Sequence, residues 1–309
     1  MVEELRASGV EIRLGDLQDG IYRLKEVLQG MGIPIRAVDG KVIPNQEDVL
    51  RAVKEVGAIE RVVLCDFGTP EKKDLRETHD QKLDIRELVK ELGLPHTFVD
   101  VSWWMQLGLP LSARSKAPAA FQEWTYELHG ICRQKMLLTD YRDIGAYVAR
   151  IVTDPRTLIH AVIIWKDEVT EEKIHAIAER LSREGNDLKT KPTYVSGAEI
   201  LKCIADGKKQ LVEDPSNVLA CYAMHWNGYM YGMDILGENT LESTMPSASD
   251  IWKRAGSTPT SPSAVSRSLR GSTTVSRSLG RYSSGTTNGG AWMRPPAHLL
   301  IALNIPKPV

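Results

Sequence analysis

Lys82 is the side chain whose type and placement most invite chemistry. It falls on a helix predicted from Glu71 to Leu92, with an apolar stripe of Ile85, Leu88, Val89 and Leu92. At about 100° per residue, Lys82 stands roughly 70° from the centre of that stripe, with Asp84 on the far side. A lysine partly desolvated at the margin of a buried face acquires a lowered pKa and can move protons. The other reading is an ammonium that snorkels to solvent along the helix edge. His79 stands roughly 130° from the stripe centre, which predicts a surface position.

The second group of candidates follows apolar runs. Asp16 and Leu17 come after a short run from Val10; Ala37, Val38 and Asp39 precede Gly40; Cys65, Asp66 and Phe67 precede Gly68. Small or polar residues directly after apolar strands suit a nucleotide cleft, and they equally suit any strand-to-helix turn. Asp16 can accept a hydrogen bond from a base or cap the segment that follows it. Trp103, Trp104 and Met105, together with Trp226, Tyr229 and Tyr231, can line an apolar pocket or fill a core.

Those positions need a frame, and the chain supplies alternating strands and helices. Strands are predicted at 10–16, 33–38 (weakened by Pro34), 61–65, 96–101 and 161–165. Helices are predicted at 21–28 with Asp19 as cap, at 46–56, at 144–152 with Asp143 as cap, from Thr170 to about Arg183, and at 197–205. Gly93 marks a helix stop. Strands separated by helices of this length imply a parallel sheet covered on both faces, a doubly wound α/β fold. Ligands of such sheets sit beyond the carboxyl ends of the strands.

Composition narrows the function classes. The 309 residues carry 39 basic and 40 acidic side chains, a net charge of −1. The segment 245–309 alone carries +7, leaving −8 on the body. That segment is rich in Ser and Arg, echoes Val265–Leu269 at Val275–Leu279, and is predicted to be a disordered basic tail. No apolar run approaches the ~20 residues of a membrane span, and the charged N-terminus does not read as a signal peptide. The four cysteines lack metal or disulfide spacing, which suits the cytoplasm. HExxH, GxSxG and Walker motifs are missing, and the histidines are scattered. A small-molecule ligand, rather than a metal, a membrane or a nucleic acid, is the expected partner.

Several separated blocks, in order, then carry a resemblance. They are Gly9–Leu17, Val62–Gly68 (VVLCDFG), His79–Arg86 (HDQKLDIR), Gly93–Val101, Trp103–Gln106, Met136–Asp140, Arg142–Tyr147 and Asp154–Leu158. The sequence resembles the NmrA-like/isoflavone-reductase-like family, particularly its fungal members, over most of Val2 to Ser243. The resemblance implies an atypical short-chain-dehydrogenase fold with a Rossmann core, NADPH as cofactor and a small aromatic substrate. It implies a general acid/base lysine with an arginine four residues later, which Lys82 and Arg86 match. The cofactor would lie across Asp16, Leu17, Ala37, Val38, Asp39, Cys65, Asp66 and Phe67, and the substrate against Trp103, Trp104 and Met105. Other members of the family bind the dinucleotide without evident catalysis and act through protein partners.

The sequence departs from that pattern at its start. The family's first strand and GxxGxxG loop, which bring backbone N–H groups to the pyrophosphate, have no counterpart here. The expectation is an N-terminally truncated or misassembled chain with weakened dinucleotide binding. Its segments would be a partial Rossmann domain at 1–110, a substrate region with returning Rossmann elements at 111–244, and the tail at 245–309. The run at 11–15 would then have no neighbour within the chain.

Overall fold

The computed structural model describes residues 2–38, 40–65, 69, 73, 76–112, 115–181, 192–232 and 299–301. In chain order the first elements are α1 (Val2–Ala7), β1 (Ile12–Leu14), α2 (Gly20–Leu28), β2 (Ile35–Arg36), α3 (Glu47–Val56), β3 (Val62–Cys65), α4 (Glu77–Glu91) and β4 (His96–Val101). The chain continues through β5 (Trp103–Trp104), α5 (Met105–Gly108), α6 (Ala119–Trp124), β6 (Glu127–His129), β7 (Lys135–Thr139), α7 (Ile144–Thr153) and β8 (His160–Ile164). Then come β9 (Asp167–Thr170), α8 (Glu171–Leu181), β10 (Thr193–Val195), α9 (Gly197–Glu213), α10 (Val218–Met230) and β11 (Leu299–Ile301).

The central sheet has the order β2-β3-β4-β8, parallel throughout. Val62 to Cys65 register against His96 to Val99, so the carboxyl ends of β3 and β4 lie side by side. The apolar runs that form these strands are buried on both faces. Leu64 and Phe98 join Leu24, Leu50, Val53, Ile85 and Val89 from α2, α3 and α4. Val63, Val99, Val101 and Ile164 meet Val148, Ile151 and Val152 of α7 on the other face. This is the doubly wound α/β arrangement. Gly93, at φ +63°, turns the chain out of α4 in a conformation that L side chains rarely adopt.

Two strand expectations change. β2 shrinks to Ile35–Arg36, because Pro34 cannot donate to a ladder. β1 does have a neighbour within the chain: it pairs antiparallel with β11, Ile12 opposite Ile301. Three residues of the tail are therefore strand rather than disorder, since an open edge recruits whatever segment can pair with it. The rest of the tail lies outside the described residues.

The second half builds its own small sheets, β5-β7-β9 and β6-β10. α9, capped by Ser196 and Glu199, runs longer than predicted and packs on α10. Gly207 permits that approach: a Cβ there would meet Ala220 O and Met224 Cβ at 3.2 Å. Asp143 does not cap α7 with its side chain; it pairs with Lys166 instead. Asp140 takes the capping role one turn earlier by accepting from Arg142 N.

A buried charged joint ties this half together. His129 on β6 is fully buried, and its Nδ1 lies 2.9 Å from Glu171 Oε1 at the start of α8. Its Nε2 stands 3.4 Å from Glu127 Oε2, close enough for charge attraction but beyond a well-made hydrogen bond. Desolvation pulls the imidazole pKa down, but the contacts with Glu127 and Glu171 outweigh it and leave the ring raised to about 9. The folded state thus holds this proton more tightly than the unfolded chain, whose histidines titrate near 6.5. The stabilisation is complete below that value and is lost as pH rises through about 9. Melting temperature should fall between pH 7 and pH 9.5, and His129→Gln should flatten that fall. An equal slope in the two proteins would show that the joint is not the cause.

Candidate active site at the carboxyl ends of β3 and β4

α4 follows β3 and packs on one face of the sheet. Its C-terminal half buries Ile85 and Val89 in the core. Its N-terminal half turns a polar row inward: His79, the half-buried Lys82 and Arg86, spaced three and four residues apart. His79 is 6% exposed, so the expected surface position is wrong. The stripe used to orient the helix came from its apolar C-terminal half, whereas the inward face of the first half is polar. Histidine followed by lysine and arginine at helical spacing was the signal that marked it.

Arg86 runs inward to Asp100 on β4, at 2.5 Å, with both side chains almost fully buried. Its guanidinium also lies 5.1 Å from the centre of the Phe98 ring. The arginine four residues after the lysine is thus an anchor that fixes α4 on the sheet.

Around Lys82, α4 meets α10. Thr78 Oγ1 and His225 Nε2 are 3.0 Å apart. Arg76, just before α4, donates to Thr69 O at 2.8 Å. Burial lowers the pKa of Arg76 to about 10, so it remains a cation at neutral pH. His79 is pushed down to about 4, first by burial and then by Arg76, with Lys82 adding to the effect against the opposing Asp100. His225 is pushed down to about 4 by burial, Arg76 and Lys82. Both rings are neutral at pH 7, and both feel the Lys82 ammonium. Sequence reasoning missed Arg76, Thr78 and His225, which only the packing of α10 on α4 brings together.

Neutral histidines of this kind have a cost in acid. A folded pKa near 4 against about 6.5 unfolded means that their contribution is present above 6.5 and is lost as pH falls towards 4. His79→Leu should lessen the drop in melting temperature between pH 7 and pH 4.5; an unchanged drop would rule out His79 as its source.

The other sequence candidates divide. Trp103 stacks on Tyr229, with centroids 4.5 Å apart and planes 3° from parallel, and Trp226 meets it edge-on at 5.0 Å. Trp104 is half-buried and tilts towards Tyr141 at 6.2 Å. Met105 is 1% exposed and belongs to the core with Leu138, Ile174 and Met230. Asp16 makes a local turn, its Oδ1 accepting from Gln18 N at 2.9 Å. Leu17 and Val38 pack on the first core cluster, and Ala37 is exposed beyond β2. Since β1 pairs with β11, no strand register ties Asp16 to the other strand ends. Cys65 closes β3 beside Val99; Asp39, Asp66 and Phe67 lie outside the described residues. Among the described residues, no three His, Cys, Asp or Glu side chains converge as metal ligands, and no helix is long and apolar enough to cross a membrane.

Residues 1–229 match the NmrA-like family. The chain belongs to that family. This NmrA-like protein is 25% identical over 244 residues to an asnovolin J 5',6'-dehydrogenase of Aspergillus novofumigatus, a match covering 77% of this chain and 72% of that one. It is also 25% identical over 263 residues to an isoflavone reductase homolog of Nicotiana tabacum, covering 79% and 78% of the two chains. Among solved structures, an isoflavone reductase superposes with a TM-score of 0.64 at 21% identity, covering 86% of this chain and 83% of that one. At that identity the superposition establishes the shared Rossmann-type fold.

Proposed function

We propose that this NmrA-like protein is an NADPH-dependent reductase of a small aromatic substrate, with Lys82 as its proton donor. The observation that carries the reading is the half-buried Lys82 on α4, with its charge felt by two neutral histidines, the buried His79 and the half-buried His225. The relatives include dehydrogenases and isoflavone-reductase-like proteins, and one structural neighbour is a leucoanthocyanidin reductase–NADPH complex. The residues present fit the ring end of a dinucleotide: an exposed Ala37 after β2 leaves room, and α4, which carries Lys82, packs on strands whose carboxyl ends lie side by side. Ala37, Val38, Asp39, Cys65, Asp66 and Phe67 would hold the cofactor, with Asp16 and Leu17 at its far edge.

NADPH, when bound, supplies the hydride. The protein's part is proton handling and exclusion of water. Lys82 Nζ holds the proton that the reduced substrate needs. Arg76, His79 and His225 stand near that ammonium, Arg76 as a cation and the two rings neutral at pH 7. Trp103 forms the substrate wall, backed by Met105 from the core, while Trp104, on the opposite face of β5, packs on the cluster built with α7.

A dinucleotide-binding regulator is the second reading, favoured by the close stacking of Tyr229 on Trp103, which covers one face of that wall. Titration with NADPH by fluorescence, followed by a panel of aromatic acceptors, separates the two. Binding with turnover supports the reductase, binding without turnover the regulator, and failure to bind removes both.

A further inference from the structure

α10 reaches across the candidate site with one face. His225 and Tyr229 stand four residues apart on it, the spacing at which side chains share a helix face. His225 Nε2 lies 3.0 Å from Thr78 Oγ1 in the first turn of α4. Tyr229 stacks on Trp103 of β5, with ring centres 4.5 Å apart. α10 thus bridges the helix that carries Lys82 and the strand that carries the substrate wall. It is itself seated on α9, where Gly207 lets Ala220 and Met224 come close.

The bridge ends beside the lysine. Thr78 precedes Lys82 by four residues, one helical turn, on the same side of α4. Burial, Arg76 and then Lys82 hold the His225 ring down at a pKa of about 4, so the ammonium is near enough to this joint to be felt by it. Packing alone does not call for these residue types. Met224, Trp226, Tyr229 and Met230 of α10 are buried in apolar clusters, whereas the Thr78–His225 pair is polar and half-buried. A neutral hydrogen bond of this kind is worth about two- to tenfold in an equilibrium. That is too little to decide whether α10 packs, and enough to decide how α4 sits against it. We propose that Thr78 and His225 are positioning residues, whose bond holds the first turn of α4 on α10 and so sets where Lys82 Nζ stands relative to Trp103. This rests on the reading of Lys82 as the proton donor.

The test uses Thr78→Val, which removes the hydroxyl and keeps the shape, beside Thr78→Ser, which keeps the hydroxyl; His225→Leu and His225→Gln form a second such pair. Two quantities are read in the full chain. One is the rate at which acetic anhydride acetylates Lys82, followed by mass spectrometry against the exposed Lys202. The other is the kcat and KM of the best aromatic acceptor with NADPH. Thr78→Val should raise acetylation of the half-buried Lys82 about threefold and lower kcat about fivefold, with KM and NADPH affinity within about twofold of the parent. Thr78→Ser and His225→Gln should stay near the parent in both. Thr78→Val combined with His225→Leu should be no worse than either alone, since both remove the same bond. If His225→Leu folds poorly, the isosteric Thr78 pair carries the test. Parent-like labelling in Thr78→Val, a parent-like kcat for it in a chain that turns over, a Thr78→Ser protein as impaired as Thr78→Val, or losses that add would each overturn the proposal. The two readings fail separately. Raised labelling in Thr78→Val, in a chain that turns over nothing, keeps the positioning bond and removes the reductase. Turnover lost in Lys82→Ala but unchanged in Thr78→Val does the reverse.

Discussion

Lys82→Ala should lower turnover by about 10²–10⁴-fold, the usual worth of a positioned proton donor, and should leave NADPH affinity within a few-fold of the parent. The argument is geometric. Lys82 is half-buried on α4, between the buried His79 and Arg86. The two residues that buttress the helix there, His79 and Arg86, are fully committed to the interior. Removing the ammonium therefore removes a functional group without opening the core. Lys82→Arg keeps the charge but cannot release a proton near neutral pH, so it should recover cofactor affinity and no turnover. Steady-state kinetics with the best acceptor of the panel, beside a binding titration, reads both quantities. A Lys82→Arg protein with parent-like kcat would show that charge, rather than proton transfer, is what the position supplies.

The same region shows where sequence reasoning succeeds and where it stops. β4 spans His96–Val101, the bounds predicted for it, and its parallel pairing with β3 follows from the intervening helix. Gly93 ends α4 as a positive-φ glycine should. These features are local, or depend on a single periodicity. The polar half of α4 was misread because its inward direction is set by Asp100 on the next strand and by α10, which begins more than a hundred residues later. α10 itself went unrecognised: Val218–Met230 is apolar nearly all round, so it offers no stripe to find. The pairing of β1 with β11 joins segments almost three hundred residues apart, and no periodicity announces it. Met105 could line a pocket or fill the core on sequence alone, and it is core, because the chain turns into α5 immediately after β5.

The largest loss of stability should come from Asp100→Ala. Arg86 and Asp100 are 6% and 2% exposed at the side chain, and their bond joins the middle of α4 to β4. Deleting the carboxylate leaves a guanidinium buried against the Phe98 ring, and breaking a buried pair from one side costs about 3–5 kcal/mol. The second carboxylate oxygen of Asp100 has no hydrogen-bond partner among the described residues, so even the intact pair is incompletely repaid. Replacing both partners with apolar residues, Arg86→Met with Asp100→Leu, should accordingly restore most of the stability that Asp100→Ala loses. Urea unfolding gives both numbers; a double variant no more stable than Asp100→Ala would mean that the cost is packing rather than charge. The functional consequence follows from the helix. Arg86 lies one turn beyond Lys82, so the pair fixes the stretch of α4 that carries the ammonium. If the double variant folds well and still turns over slowly, with cofactor affinity intact, then the lysine-to-arginine spacing records a positioning requirement: the arginine holds the lysine in place and touches no substrate.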